Sequence, residues 1–391
     1  MSATFLGYPR PDGSAGTRNH VLILPGGWEC QQIVSMVDGT VTPTSADLGV
    51  ARTRSDRETI ARMHVGLALN PNVYAVVIVT AGGKINEGML NGLHAEEPCR
   101  AAGKPVEIID CDGWDAIAKG SRAAARLVHD ASAQRRREVD ASNLQVGVKC
   151  GASDPTSGLV GNPSLGRMFD RVVDAGGTAI FSETTEVIGA EHELADRCVN
   201  PQVRRQFLEL IENHEEVARG VGQDIRTINP VPANIAAGIS TLEEKSLGAV
   251  HKGGTAPIVG VLEYAERPAA PGLYFMDSSV SHVVVLPGMA GAGCNIVFFQ
   301  LCGGGWSRRT LTGGQGIVAP QMWVTGNPTT AARVAGVDFS SGPVISDGRS
   351  IEEMGDELFD LVLEVASGRL ARTEMLRFFD PVQYYLPGPS F

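Results

Sequence analysis

With 391 residues, 43% of them hydrophobic and 20% charged, the chain has a globular composition and room for two to three domains of about 150 residues, which excludes a disordered, fibrous or disulfide-dense class. Its net charge of −11, from 33 basic and 44 acidic residues, opposes binding to nucleic acid or to an anionic membrane surface. Glycine is unusual at 47 residues, about 12% against an ordinary ~7%, and with 22 prolines it implies many tight turns and close backbone approaches.

The first 140 residues alternate short apolar runs with helical periodicity, which predicts a mostly parallel sheet covered by helices. His20–Leu24, Val73–Val79 and 106–110 are the expected strands, with helices over Arg54–Leu69 and about 114–138. The second helix is expected to end in Arg135, Arg136 and Arg137, a solvated basic run favoured by the helix dipole. Asp140 to Asn143 is a polar break, so the domain boundary is placed there: residues 1–142 form a Rossmann-like α/β domain and residues 143–391 a larger mixed α/β domain. The second domain is expected to hold a strand over 144–149, a helix over 163–175 capped by Asn162, a strand at Thr178–Phe181 and a long helix over 201–219. Short strands and Gly/Pro turns follow, at about 258–264 and 272–276. Ser278 to Ser307 carries no charge and is long enough to span a bilayer, but Pro287, Asn295, Gln300 and its glycines favour two buried strands, 283–286 and 295–300. A helix over 351–367 closes the pattern, with Ile351, Met354, Leu358, Leu361, Val362 and Val365 on one stripe.

Three polar clusters follow predicted strand ends or sit among small residues. Lys149-Cys150-Gly151-Ala152-Ser153-Asp154, with Thr156, Ser157 and the downstream Asn162, lies where α/β proteins place ligands; it suits an oxyanion, or else is a turn with local capping. Glu183, Glu186, Glu191, His192 and Glu193 follow the next strand and suit a hard divalent cation or an acid–base pair, unless Glu191 and Glu193 simply start a solvated helix. Asn234 precedes a third cluster in which Thr241 and Glu244 make a capping box, and in which Lys245 and Lys252 are candidates for desolvated lysines or ordinary solvated ones. The runs Gly303–Gly305 and Gly313–Gly316 match neither a Walker A loop nor a dinucleotide fingerprint, so no nucleotide cofactor is expected. The seven cysteines are odd in number and show no C-x-x-C pair, and the first residues lack a signal-peptide pattern; both predict a reduced, cytoplasmic protein. Of these cysteines only Cys150 lies in a polar cluster.

These segments in this order resemble the large catalytic portion of the altronate and galactarate dehydratases, a family that also includes the large chain of sulfolactate sulfo-lyase. The resemblance rests on Gly7-Tyr8-Pro9-Arg10 with Gly16 to Asn19, on Lys149 to Asp154 with Ser157, Gly158 and Asn162, and on Glu183 to Glu186 with Gly189 to His192. It continues through Asn234, Glu244 to Gly248, Lys252 and Gly272 to Ser278, including Asp277. Two family cysteine motifs are missing, where Asp47-Leu48-Gly49 and Ala81-Gly82-Gly83-Lys84 stand, and a later turn is replaced by Gln300 to Gly305. The resemblance implies a β-eliminating lyase acting on a small-molecule 2-hydroxycarboxylate, losing sulfite or water from C3 to leave a 2-keto acid. Lys149, Asp154, Glu183 and Lys245 are the implied catalytic residues, and Ser153, Ser157, Asn162, Asn234, Lys252 and Asp277 the substrate contacts. Cys150, Glu186, Glu191 and His192 would ligate a divalent metal (Fe2+, Mn2+ or Mg2+), and Arg308 and Arg309 are candidates to meet an anionic leaving group. The resemblance also implies a separate small SAF-domain subunit and a homo-oligomer of the large chain, with no nucleic acid or membrane partner. The competing readings are a sugar-acid dehydratase and a non-catalytic binding subunit that keeps the fold.

Overall fold

The computed structural model describes residues 3–45, 47–82, 87–303, 317–375 and 381–388. Arg308, Arg309, Gly83, Lys84 and Gly313–Gly316 lie outside the described residues. In chain order the strands are β1 Thr4–Pro9, β2 Ala15–Gly16, β3 His20–Leu24, β4 Thr40–Val41, β5 Val73–Val79, β6 Val106–Ile109 and β7 Arg137–Asp140. They continue as β8 Gln145–Gly151, β9 Thr178–Phe181, β10 Ile258–Leu262, β11 Gly272–Met276, β12 Ile296–Leu301, β13 Gln321–Thr325 and β14 Phe339–Ser340.

The α/β class holds, with two parallel sheets. The smaller one runs β4-β3-β5-β6 and the larger β10-β11-β9-β8-β12-β13-β14, while β2-β1-β7 form a small antiparallel sheet. The five inner strands of the larger sheet are almost wholly buried, as continuous apolar runs in a helix-covered parallel sheet should be, while the edge strands β10 and β14 are half-buried. From β8 the chain passes to β9, then to the edge strand β10, and fills the gap between them with β11, before it returns to build β12 to β14 on the other side. The β8/β12 seam is therefore the point where strand order reverses, and ligands of open α/β sheets bind outside the carboxyl ends of such strands.

Three expected elements differ, one of them the helix start at Asn162 described with the site below. Val283–Leu286 is not a strand but part of the helix His282–Gly291, which contains Pro287. From Val284 on, its apolar run is buried between the helix Arg54–Leu69 and strands β8 and β12, so no periodicity distinguishes helix from strand. Pro287 has no N–H to give to the carbonyl four residues back; Gln383 N–H donates to that carbonyl, on Val283, at 2.9 Å, and so binds the C-terminal segment to the core. The helix expected over 114–138 ends at Ser132, and Arg137 begins β7 against β1. Arg136 is not a solvated helix end: its guanidinium donates to the carbonyls of Leu6, Thr17 and Ala366 and stacks 4.6 Å from the Tyr8 ring.

The two parallel units share one hydrophobic core that joins Leu22, Met63 and Val76 to Leu286, Val297 and Trp323. Buried amides fix the join: Asn70 donates to Ala290 and Cys294, and Asn72 to Asn295 and Val318. At the closest approach a methyl group on Gly66 would sit 2.1 Å from the Gly291 carbonyl oxygen. Gly66→Ala is expected to lower stability by about 1–3 kcal/mol, read as a reduced midpoint in chemical denaturation, because two backbones must separate to admit one carbon. An unchanged midpoint would show that the join is loose.

Candidate active site

The loop after β8 turns at Ala152, a non-glycine residue with φ of 54°, and delivers Asp154 as the cap of a helix that starts seven residues earlier than Asn162. Pro155 takes its first position, Asp154 Oδ1 accepts from Ser157 N–H at 3.1 Å, and Ser157 Oγ accepts in return from Asp154 N–H at 2.9 Å. Asn162 is therefore inside a continuous helix, after a wide π-turn over Ser157–Gly161; Pro163, which lacks an N–H, lies just beyond that turn. The Asn162 side chain donates to Gly248 O at 2.9 Å, and its buried Oδ1 has no partner. The sequence carries two Asx-Pro helix starts, at 154–155 and 162–163, and only the packing of Gly158 on Gly248 decides between them.

The loop after β9 is held to the end of β11, with Ser182 Oγ donating to Met276 O and Thr184 N–H to Ser278 O. It places Glu183 at φ 82°, a left-handed conformation costly for a residue with a Cβ and characteristic of functional sites. Glu183 is fully buried, as is Lys252, whose ammonium lies 2.5 Å from both Glu183 Oε2 and Glu186 Oε2. Lys149 Nζ is 3.1 Å from Glu183 Oε1, without hydrogen-bond alignment, and donates to the Cys150 carbonyl. Lys245 Nζ is 3.9 Å from Glu186 Oε1 and donates to Asn229 Oδ1 at 3.0 Å. Three ammonium groups thus surround two carboxylates, leaving one positive charge in excess.

Burial and the neighbouring Glu186 raise the pKa of Glu183 against the pull of Lys149 and Lys252. For Glu186 burial also pushes upward, but Lys252, Lys245 and Lys149 outweigh it and hold the group at about 2 against an ordinary 4.5. A carboxyl depressed on folding stabilises above its unfolded pKa, and that contribution is lost as pH falls from about 4.5 towards 2. Glu183 has the opposite sign. The difference in unfolding free energy between the parent and Glu186→Gln is expected to shrink on acidification through that window, by on the order of 3 kcal/mol in all. Denaturation midpoints at pH 5 and pH 3 measure it, and a difference independent of pH would overturn the assignment.

Of the remaining expected site residues, Ser153, Asp154, Ser157, Asn162 and Lys245 line one cavity of ≈ 290 Å³, together with His251 and the exposed Glu244. Both Asp154 oxygens are occupied, one by Thr156 and Ser157 and the other by Gly303 N–H at 2.6 Å and Asn327 Nδ2 at 2.7 Å. Asn234 is spent on backbone groups, donating to Ser153 O and accepting from Val231 N–H. Asp277 accepts from Thr184 Oγ1 and pairs with His214 at 2.9 Å, so it braces the 182–186 loop from outside the cavity.

The expected metal ligands do not form a donor set. Lys252 takes Glu186, Cys150 Sγ faces Ser153 and Cys302, Glu191 turns to Arg226 and the Gly189 N–H, and His192 is exposed on a short helix. Among the described residues no three His, Cys, Asp or Glu side chains are grouped to hold a metal ion. The four residues expected as ligands, Cys150, Glu186, Glu191 and His192, are thus not brought together in this structure, and of them Glu186 is paired with a lysine.

Sequence reasoning missed four contributors. His282 stacks on Phe299 at 5.4 Å, that ring lies 5.4 Å from Lys149 Nζ, and burial with nearby Lys149 lowers the imidazole pKa to about 4. Asn327, which also caps the helix Pro328–Arg333, announced itself through the Asn-Pro pair; Cys302 lay in the replaced segment, and His214 carried no signal.

A parallel α/β chain with a buried lysine–carboxylate cluster at the strand-order reversal of its larger sheet is built as an enzyme. Two domain families match it: "D-galactarate/Altronate dehydratase, C-terminal" over residues 141–385 and "D-galactarate dehydratase/Altronate hydrolase, second domain" over residues 7–132. The chain is 34% identical to the (2R)-sulfolactate sulfo-lyase subunit beta of Chromohalobacter salexigens, over 95% of both chains. It is 29% identical to the altronate dehydratase of Bacillus subtilis, over 95% of this chain and 75% of that one, and 30% identical to that of Escherichia coli, over 93% and 74%. The chain belongs to the D-galactarate/altronate dehydratase family, and it is a lyase. Among the described residues no helix is long and apolar enough to cross a membrane.

Proposed function

We propose that the chain catalyses β-elimination from a 2-hydroxycarboxylate, with sulfite as the C3 leaving group, giving an enol that tautomerises to a 2-keto acid. The observation that carries this reading is the surplus positive charge of the Lys149, Lys245 and Lys252 cluster beside a cavity whose other polar groups are Ser153, Ser157, Asn162 and His251, with the Asp154 carboxylate already occupied by its donors and Glu244 exposed at the rim. An anionic substrate enters such a cavity favourably, and an enediolate-like transition state gains more, because its charge grows as the C2 proton leaves. Lys245 takes that proton as a neutral amine, after releasing its own to solvent, and so returns to the ammonium form beside the growing enediolate charge: its nitrogen lies at the cavity with a single hydrogen bond, whereas Glu183 is covered by two lysines and Asp154 by its donors. Ser153, Ser157 and Asn162 bind the substrate carboxylate and hydroxyl. Lys149 and Lys252 set the charge and hold Glu183 and Glu186, while Asp154, Asn234 and Asp277 position the loops. Similarity to a sulfo-lyase subunit over 95% of both chains supports sulfite as leaving group, and the name of that relative, a subunit beta, supports a partner subunit; that the partner is a small SAF-type chain and that the enzyme works in the cytoplasm belong to the proposal. Similarity at 29–30% to two altronate dehydratases supports the second reading, loss of water from a sugar acid.

The test is a coupled assay of the purified chain, with and without an SAF-type small partner, on 3-sulfolactate, altronate and galactarate. Keto acid with stoichiometric sulfite from sulfolactate is the expected outcome. Keto acid from a sugar acid alone would replace it with the dehydratase reading.

A further inference from the structure

We infer that Cys150 and Cys302 are a reactive dithiol that a peroxide closes to an intramolecular disulfide across the β8/β12 seam. Their sulfurs are 3.7 Å apart, both side chains are buried, and both thiols are free. The register sets the two cysteines on the same face of the seam, two residues out of step. Gln300 and Leu301 of β12 lie opposite Cys150 and Gly151 of β8, and Cys302 N–H extends the ladder to Gly151 O at 3.1 Å. Gly151 follows the first cysteine and Gly303 the second, so the chain on each side has the freedom to bring the sulfurs from 3.7 Å to the ~2.05 Å of a disulfide.

The chemistry of the pair is asymmetric. The Cys302 sulfur is turned to the Gln300 carbonyl of its own strand, at 3.8 Å, whereas Cys150 Sγ lies 3.4 Å from the hydroxyl of Ser153, a residue that lines the cavity by which a peroxide arrives. Cys150 is thus the attacking sulfur. Its thiolate displaces hydroxide from hydrogen peroxide, breaking the O–O bond and forming a sulfenic acid. The Cys302 sulfur then attacks the sulfenic sulfur, the S–O bond breaks, and its thiol proton leaves with the departing oxygen as water. Two electrons pass from the two sulfurs to the peroxide, and two waters form in all. The step acts on the proposed site without sharing its substrate: Cys150 N–H donates to Glu183 Oε2 at 3.0 Å and Cys150 Sγ lies 3.4 Å from Ser153 Oγ, so drawing Cys150 towards β12 shifts both.

Reduced protein treated with a few equivalents of hydrogen peroxide is expected to lose about 2 Da by intact-mass measurement, with the cross-link mapping to Cys150 and Cys302 and reversing in dithiothreitol. Cys302→Ser, confirmed as folded by its melting curve, is expected to gain about 16 or 32 Da at Cys150 with no loss of 2 Da. Cys150→Ser is expected to leave Cys302 unoxidised. A cross-link between other cysteines, oxygen addition without cross-linking in the parent protein, or a 2 Da loss that survives Cys302→Ser would each overturn the proposal. None of these readouts depends on which substrate the enzyme uses.

Discussion

Lys252→Met is expected to be the most damaging single substitution in the larger unit, costing about 3–5 kcal/mol and around 10 °C in melting temperature at pH 7. The Lys252 ammonium is fully buried and lies within 2.5 Å of two carboxylates that are themselves buried. Removing it strands Glu183 and Glu186 against each other with only Lys149 and Lys245 at their far oxygens, and a buried charge without its partner costs far more than the pair gained. The loss should depend on pH, since protonating a stranded carboxylate removes the repulsion: the deficit is expected to narrow at pH 5. Adding Glu186→Gln to Lys252→Met should restore part of the stability at pH 7. Thermal melts of the single and double variants decide the matter, and a single variant as stable as the parent at pH 7 would show that the cluster is not charged as described.

The second large effect is kinetic. Lys245→Met is expected to lower kcat by about 10³-fold or more while leaving the melting temperature nearly unchanged, because the Lys245 ammonium makes one hydrogen bond and stands 3.9 Å from Glu186. Lys245→Arg separates proton transfer from charge: a guanidinium keeps the cation but does not deprotonate in proteins, so this variant should be as slow as the methionine one. If the arginine variant keeps more than about a tenth of the turnover, Lys245 acts by charge alone and the proton goes elsewhere. Both variants are compared with the parent on whichever substrate the coupled assay selects.

Much of this protein was legible from local pattern. The helix Arg54–Leu69 and the strands His20–Leu24, Val73–Val79, Thr178–Phe181 and Gly272–Met276 have the expected bounds, because clean periodicity or β-branched runs between turn residues leave one solution. Lys149, Glu183, Glu186, Lys245 and Lys252, drawn from all three polar clusters, also converge: the first two clusters follow β8 and β9, whose loops a parallel sheet sets on one edge, and the helix Leu242–Val250 with the turn after it brings the third. What was not legible depends on partners distant in sequence. Val283–Leu286 reads as a strand until the helix Arg54–Leu69 and the larger sheet enclose it, and Arg136 reads as solvated until the carbonyls of Leu6, Thr17 and Ala366 surround it.

The division within the site has the same cause. Residue type and order sufficed to single out Lys149, Glu183, Glu186, Lys245 and Lys252, because ionisable side chains among small residues past strand ends are conspicuous in any sequence. Only the tertiary structure decided which of them face the cavity, which neutralise one another and which sulfur meets Cys150. Those outcomes turn on separations of a few ångströms between segments 33 to 152 residues apart, such as Cys150 with Glu183 and with Cys302. Electrostatic energy at low dielectric varies steeply over that range, and sequence spacing does not encode it.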